Sequence, residues 1–131
     1  MKIKKDIIGK IIAHAKQGLP LEICGYLASR NGVFSHHYEM TNIDQSQEHY
    51  SMDMTEQMKT VKEARANGFE VSAVYHSHPE TPARPSEEDI RLAYDSNYSY
   101  VIISLADGGE DIKSFKIKDK QVSPEDIEIV E

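Results

Sequence analysis

The chain has a single cysteine, Cys24, so no disulfide can form within it, which fits a reducing cytoplasm. The same scarcity excludes the zinc deaminases, which need a later PCxxC pair, and the helical HExxH pattern of the zincins is absent as well. Basic residues are few: fifteen Lys and Arg stand against twenty-two Asp and Glu, for a net charge of -7, and no basic run exceeds the short Lys2-Ile3-Lys4-Lys5. Phosphate binding draws its affinity from clustered positive charge, so nucleic acid is excluded as a partner and a basic protein surface or peptide tail suits better. Apolar runs are short too. Lys10 interrupts the stretch that starts at Ile7 before it reaches signal-peptide length, and no later run can span a bilayer, which predicts a soluble cytoplasmic protein without a membrane partner. Repeats, linkers and low-complexity tracts are missing, and 131 residues suffice for one domain, 1–131, with its own core.

What is present reads as alternating elements. Ile3, Ile7, Ile8, Ile11, Ile12 and Ala15 recur at three-and-four spacing, predicting a helix over 3–17 that Gly18 and Pro20 end. Leu21 to Ala28 and Val33 to Met40 predict a hairpin about Asn31-Gly32, and His49 to Met52 a further short strand. Asp53 caps a second helix with Met54, Met58 and Val61 as its apolar stripe, ended by Gly68. Val71 to Tyr75 is a strand, Ser86 to Tyr94 a third helix, Tyr98 to Leu105 a strand buried on both faces, and Ile112 to Lys118 a more exposed one. Ile127 to Val130 adds an edge strand. This order implies a mixed α/β sandwich with a curved sheet.

The stretch HSHPETPARPSEED, from His76 to Asp89, carries the chemistry. A strand sends residues i and i+2 to one face, so His76 and His78 point together while Ser77 turns away. Imidazole is the commonest protein ligand for zinc, and a catalytic zinc takes three protein ligands and keeps a fourth position for water. Asp89, in the first turn of a helix starting at Ser86, is the candidate third ligand, and Pro79, Pro82 and Pro85 stiffen the loop between. The same residues also read as an ordinary helix start, with Ser86 as cap and acids in the first turn. Cys24 reads as a small packing residue, adjacent His36 and His37 face opposite ways in a strand, and His14 has no acid at ligand spacing. Met52, Met54 and Met58 read as core filling rather than as a substrate groove.

Glu22 and Gly25, then His76-Ser77-His78-Pro79, then Ser86 and Asp89 together resemble the signature of the JAMM (MPN-plus) metallopeptidases, with every signature position filled. The resemblance implies a JAMM/MPN-like (cytidine-deaminase-like) curved mixed sheet flanked by about three helices. It implies one Zn2+ per chain held by His76, His78 and Asp89, Glu22 as general base and then acid, and Ser86 as donor to the tetrahedral oxyanion. Ser77 and Pro79 would turn the chain out of the strand.

Within that family the compact chain, with little sequence after Asp89, resembles the short prokaryotic branch associated with ubiquitin-like sulfur carriers ending in Gly-Gly. The resemblance therefore implies a zinc peptidase that cuts after the diglycine and releases an amino acid such as cysteine. Two alternatives stay open: an isopeptidase removing a ubiquitin-like modifier from lysine, and a non-catalytic module that binds ubiquitin-like proteins.

Overall fold

The computed structural model describes residues 1–131. Its centre is an eight-stranded mixed sheet made of β1 (Lys2–Lys4), β2 (Cys24–Arg30), β3 (Val33–Met40), β4 (Glu70–His78), β5 (Ser99–Ser104), β6 (Asp111–Lys118), β7 (Gln121–Glu125) and β8 (Glu128–Val130). Across the sheet the order is β7-β6-β5-β4-β2-β3-β1-β8. β4 lies antiparallel to β2 and parallel to β5, so it is paired on both sides. Opposite Leu27/Ala28 and Ala28/Ser29 the register skips Ser72 of β4 and Ser35 of β3, so bulges in those two strands bend the sheet beside β2.

Helix α1 (Lys5–Gln17) covers one face, burying Ile7, Ile11 and Ala15 among Leu27, Ala73, Tyr75, Val101 and Ile103. Each large aliphatic side chain removed from water in this layer contributes roughly 1.5–3 kcal/mol. Helix α2 (Met54–Ala66) covers the other face over Cys24, Tyr26, Ala28, Met40, Val71 and Val74. The short helix α3 (Glu87–Arg91) follows β4 at the end where the histidines lie. No helix is long and apolar enough to cross a membrane.

Several expected elements differ. The first helix begins at Lys5, because Ile3 is taken by pairing with Phe34 of β3 and Ile129 of β8. The first hairpin strand starts at Cys24, later than Leu21, and β4 runs on through His78. Asp53 caps α2 by accepting from Glu56 N, as expected, but Met54 and Met58 are 68% and 60% exposed. The buried stripe of α2 is instead Thr60 and Ala64, with Val61 partly covered. His49 to Met52 is irregular rather than a strand. The third helix stops at Arg91, well short of Tyr94, where Tyr100 Oη donates to the carbonyl and accepts from the N–H of Asp95 and holds that segment as a turn. The C-terminal segment forms two strands, β7 and β8, with Pro124 tolerated on the edge strand β7.

Candidate metal centre and catalytic site

The end of β4 presents its two imidazoles on the α2 face. Ser77 turns away from them, its N–H donating to Ile23 O at 3.1 Å and its Oγ accepting from Ile23 N at 2.9 Å. His76 and His78 are both buried, at 2% and 4% exposure. Their Nε2 atoms lie 3.1 Å apart, and each lies 3.1 Å from Asp89 Oδ2. The three ligand atoms thus form a nearly equilateral triangle, although Asp89 comes from a different element.

Two sets of contacts hold that triangle. His78 Nδ1 donates to Pro82 O at 2.9 Å, which leaves the Nε2 lone pair directed at the triangle. Ser104 Oγ donates to Thr81 O, and Ala83 is buried against Ile102, Phe115 and Ile117, so the loop after β4 is fixed by packing and hydrogen bonds as well as by its prolines. Asp89 is fixed by a reciprocal cap: Ser86 Oγ accepts from Asp89 N at 3.0 Å, and Asp89 Oδ2 accepts from Ser86 N at 2.9 Å. The helix-start reading and the ligand reading of this segment therefore describe one structure.

The donor set fits a single zinc. Zinc binds imidazole nitrogen at about 2.0–2.1 Å and carboxylate oxygen at similar range in a tetrahedron, which separates neighbouring ligand atoms by roughly 3.3 Å. Three acceptors 3.1 Å apart repel one another unless a positive charge joins them. Burial pushes the Asp89 carboxyl up, but hydrogen bonds with His76, His78 and Ser86 outweigh it and hold the group well below the usual carboxylate range. Burial pulls His78 down, yet its bonds to Asp89 and Pro82 leave it raised. Both shifts arise from the close approach of the imidazoles to one carboxylate.

Glu22 stands across from this triangle. Cys24 pairs with His76 in the antiparallel register and Ile23 bonds with Ser77, so Glu22 precedes β2 at the histidine end of β4, where its carboxyl feels the charge of His78 and Asp89. Its backbone is clamped: Glu22 N donates to Ser46 O at 2.9 Å, and Asn42 Nδ2 donates to Glu22 O at 2.9 Å. The side chain is 4% exposed, and Oε1 is the one buried side-chain polar atom without a hydrogen-bond partner. Burial pushes the carboxyl up to about 8, against the attraction of His78 and with the repulsion of Asp89. A carboxyl that exchanges its proton near neutrality, with an oxygen awaiting a partner, is equipped for proton transfer. Ser86 is exposed beside Asp89, and accepting from Asp89 N leaves its own O–H able to donate.

Gly25 has a steric reason. A Cβ there would come within 2.3–2.4 Å of the Tyr75 ring, which is fully buried with its hydroxyl 2.8 Å from His14 Nδ1. Cys24 is a buried packing residue, its thiol pushed up to about 12 by burial. His36 packs on Phe69, whereas His37 pairs with Glu39, so the two do face different partners. His14 has no acid at ligand spacing along its own helix, and the carboxylate nearest it, Glu39 Oε1 of β3, lies 3.8 Å from its Nε2. Sequence reasoning passed over Tyr50, whose ring lies over His76 with centroids 4.7 Å apart. No local pattern marks it, because the loop carrying it is irregular.

Comparison with known proteins identifies the family. The profile of the prokaryotic homologs of the JAB domain matches residues 4–118. The chain is similar to the CysO-cysteine peptidase of Mycobacterium tuberculosis, with 37% identity over 133 aligned residues that take in 98% of this chain and 90% of that protein. It is similar to the desampylase of Haloferax volcanii, with 28% identity over 111 residues, 79% of this chain and 80% of that one. Among solved structures, DSY2949 from Desulfitobacterium hafniense matches with a TM-score of 0.89 at 45% identity, covering 99% of this chain and 92% of that chain.

Proposed function

The chain belongs to the prokaryotic homologs of the JAB domain, and from that premise we propose that it is a zinc-dependent JAMM peptidase that hydrolyses the amide bond after the C-terminal Gly-Gly of a ubiquitin-like sulfur carrier in the reducing cytoplasm. His76, His78 and Asp89 hold one Zn2+, Glu22 is the general base and acid, and Ser86 steadies the oxyanion. The observation that carries this reading is the triangle of donors at 3.1 Å with an unpartnered, buried Glu22 oxygen at the histidine end of β4.

Zinc in this position supplies Lewis acidity, making nearby water ionise near neutrality rather than near pH 15.7 and polarising the scissile carbonyl. The chain's own residues do the rest. Glu22 takes the proton of the attacking water, whose oxygen joins the glycine carbonyl carbon. The same carboxyl then gives that proton to the amide nitrogen as the C–N bond breaks, leaving a glycine carboxylate and a free amine. The Ser86 O–H donates to the oxygen that gains negative charge, a role its cap contact leaves open.

The name of the mycobacterial relative supports cysteine as one residue released. The haloarchaeal relative's name favours a second reading, removal of a ubiquitin-like modifier from lysine by the same residues. Mass spectrometry of the products separates them: the peptidase returns a shortened carrier and a free amino acid, the isopeptidase an intact acceptor protein with its lysine freed. If zinc-loaded protein cuts neither kind of substrate and Glu22→Gln behaves identically to it, the hydrolase reading fails. A non-catalytic module is recognised by chelation: a structural ion takes the fold with it, whereas a catalytic one takes activity first.

A further inference from the structure

A cavity of about 420 Å³ opens on the His76 and Asp89 side of the site, within the usual size of small-molecule pockets. Its floor is sheet: Val74, Ile102 and Ile117. Tyr26, Tyr98 and Tyr100 stand as its walls, and Tyr50 joins it to His76. The wall hydroxyls are largely spoken for. Tyr26 Oη donates to Gln57 Oε1 at 2.9 Å, and Tyr100 Oη bonds with both backbone groups of Asp95. Tyr26 and Tyr98 meet edge to face, with centroids 6.4 Å apart. What these side chains offer a ligand is therefore ring surface. The charged groups at the rim are Glu88 and Asp95, with no Lys or Arg in the lining.

A substrate that ends Gly-Gly before the scissile bond has no side chain on its two nearest residues. Such a tail cannot fill a cavity that touches two of the three proposed ligands. The residue on the leaving side carries the side chain nearest the scissile bond. We propose that this cavity receives the side chain of the residue released after Gly-Gly, and that it selects a large apolar or aromatic one over a small or acidic one. The inference rests on the peptidase reading and sharpens it, because the space exceeds what a cysteine occupies. An aromatic side chain would gain burial against the floor and offset contacts with the tyrosine rings. An acidic one would face Glu88 and Asp95.

The test uses zinc-loaded protein and a ubiquitin-like carrier ending in Gly-Gly-X, with X as Ala, Cys, Leu, Phe, Asp or Lys. Phe and Leu are expected to be cut at least about tenfold faster than Ala by kcat/KM, since each buried methylene is worth about that much, and Asp slowest. Leu92→Trp, which fills the cavity from its exposed edge, should reduce the preference for Phe over Ala. Equal rates for Ala and Phe, or Lys or Asp fastest, overturn the proposal. A binding readout separates it from the reading beneath it: NMR of tyrosine rings in zinc-loaded Glu22→Gln protein titrated with Gly-Gly-Phe and Gly-Gly-Ala peptides. Ring shifts at Tyr26 and Tyr98 for the Phe peptide alone, in a protein whose parent cuts nothing, uphold the cavity and sink the peptidase reading; shifts for neither peptide sink the cavity.

Discussion

Two clusters of two histidines and one carboxylate sit on opposite faces of the same sheet. His76, His78 and Asp89 form one; His14, His37 and Glu39 form the other, built on the neighbouring row in which Gly25 pairs with both Glu39 and Tyr75. Composition does not distinguish them, and geometry does. In the first, all three ligand atoms lie 3.1 Å from one another and both histidines are buried. In the second, Glu39 is 49% exposed, reaches its histidines at 3.2 and 3.8 Å, and His14 Nδ1 is engaged by the Tyr75 hydroxyl. A metal centre requires donors that converge on one point and are held there by their own backbone contacts, as Pro82, Ser86 and Ile23 hold the first cluster.

The sharpest way to break this contrast is to remove one carboxylate from each cluster. Asp89→Asn should reduce bound zinc from about one ion per chain to almost none and abolish hydrolysis, since two ligands do not retain a catalytic zinc. Glu39→Gln should leave both unchanged; metal analysis by mass spectrometry reads the difference, and equal zinc loss in both variants would show that the contrast is false. Next in size is Glu22→Gln, which should retain zinc while kcat drops about 10²–10⁴-fold, the usual weight of a general acid–base group. Loss of metal in that variant would make Glu22 a ligand rather than a proton carrier.

The same contrast between local and distant contacts governs how much of the molecule is legible in its sequence. The pairing of His76 with His78 is legible because strand periodicity is local, and Asp89 because a helix start follows within one short loop. Glu22 is different: only its likeness to a family signature singles it out, since the pairing of β2 with β4, between distant segments, is what brings the chain just before Cys24 to the histidine end of β4. The fold class and most elements follow from periodicity. Failures come where distant contacts override local pattern. Ile3 leaves the helical pattern for strand pairing, and Met54 and Met58 point to solvent while Thr60 and Ala64 face the sheet. Tyr50 and the tyrosine-walled cavity come from separate segments, which no single window of sequence brings together.

A smaller effect is expected at Ser86, where structure and chemistry share one hydroxyl. Ser86→Ala removes the acceptor for Asp89 N and, on the proposed mechanism, the donor to the oxyanion. Loss of the cap costs about 1 kcal/mol, and with the cation sharing the oxyanion charge the rate should fall about tenfold, less than for Glu22→Gln. Ser86→Asp restores a capping acceptor but no donor, so stability measured by urea unfolding should recover while kcat does not; joint recovery would assign the residue to the fold alone.

The last expectation concerns metal-free protein, where Glu22 has no cation nearby. Its folded carboxyl is raised to about 8 from an ordinary 4.5, so the folded state holds a proton that the unfolded chain releases. Stability should therefore be fullest below about pH 4.5, fall as pH rises, and reach its full penalty above about 8, a change of about 5 kcal/mol. Glu22→Gln, unable to ionise, should lack that slope and be more stable than the parent at about pH 9 but not at about pH 5, by urea unfolding after chelation. Adding zinc should shrink the difference, because a cation near His78 favours the ionised carboxylate and removes the reason for the slope. Parallel curves for parent and variant in the metal-free state would mean that water reaches Glu22, and that its poise near neutrality belongs to neither cluster's design.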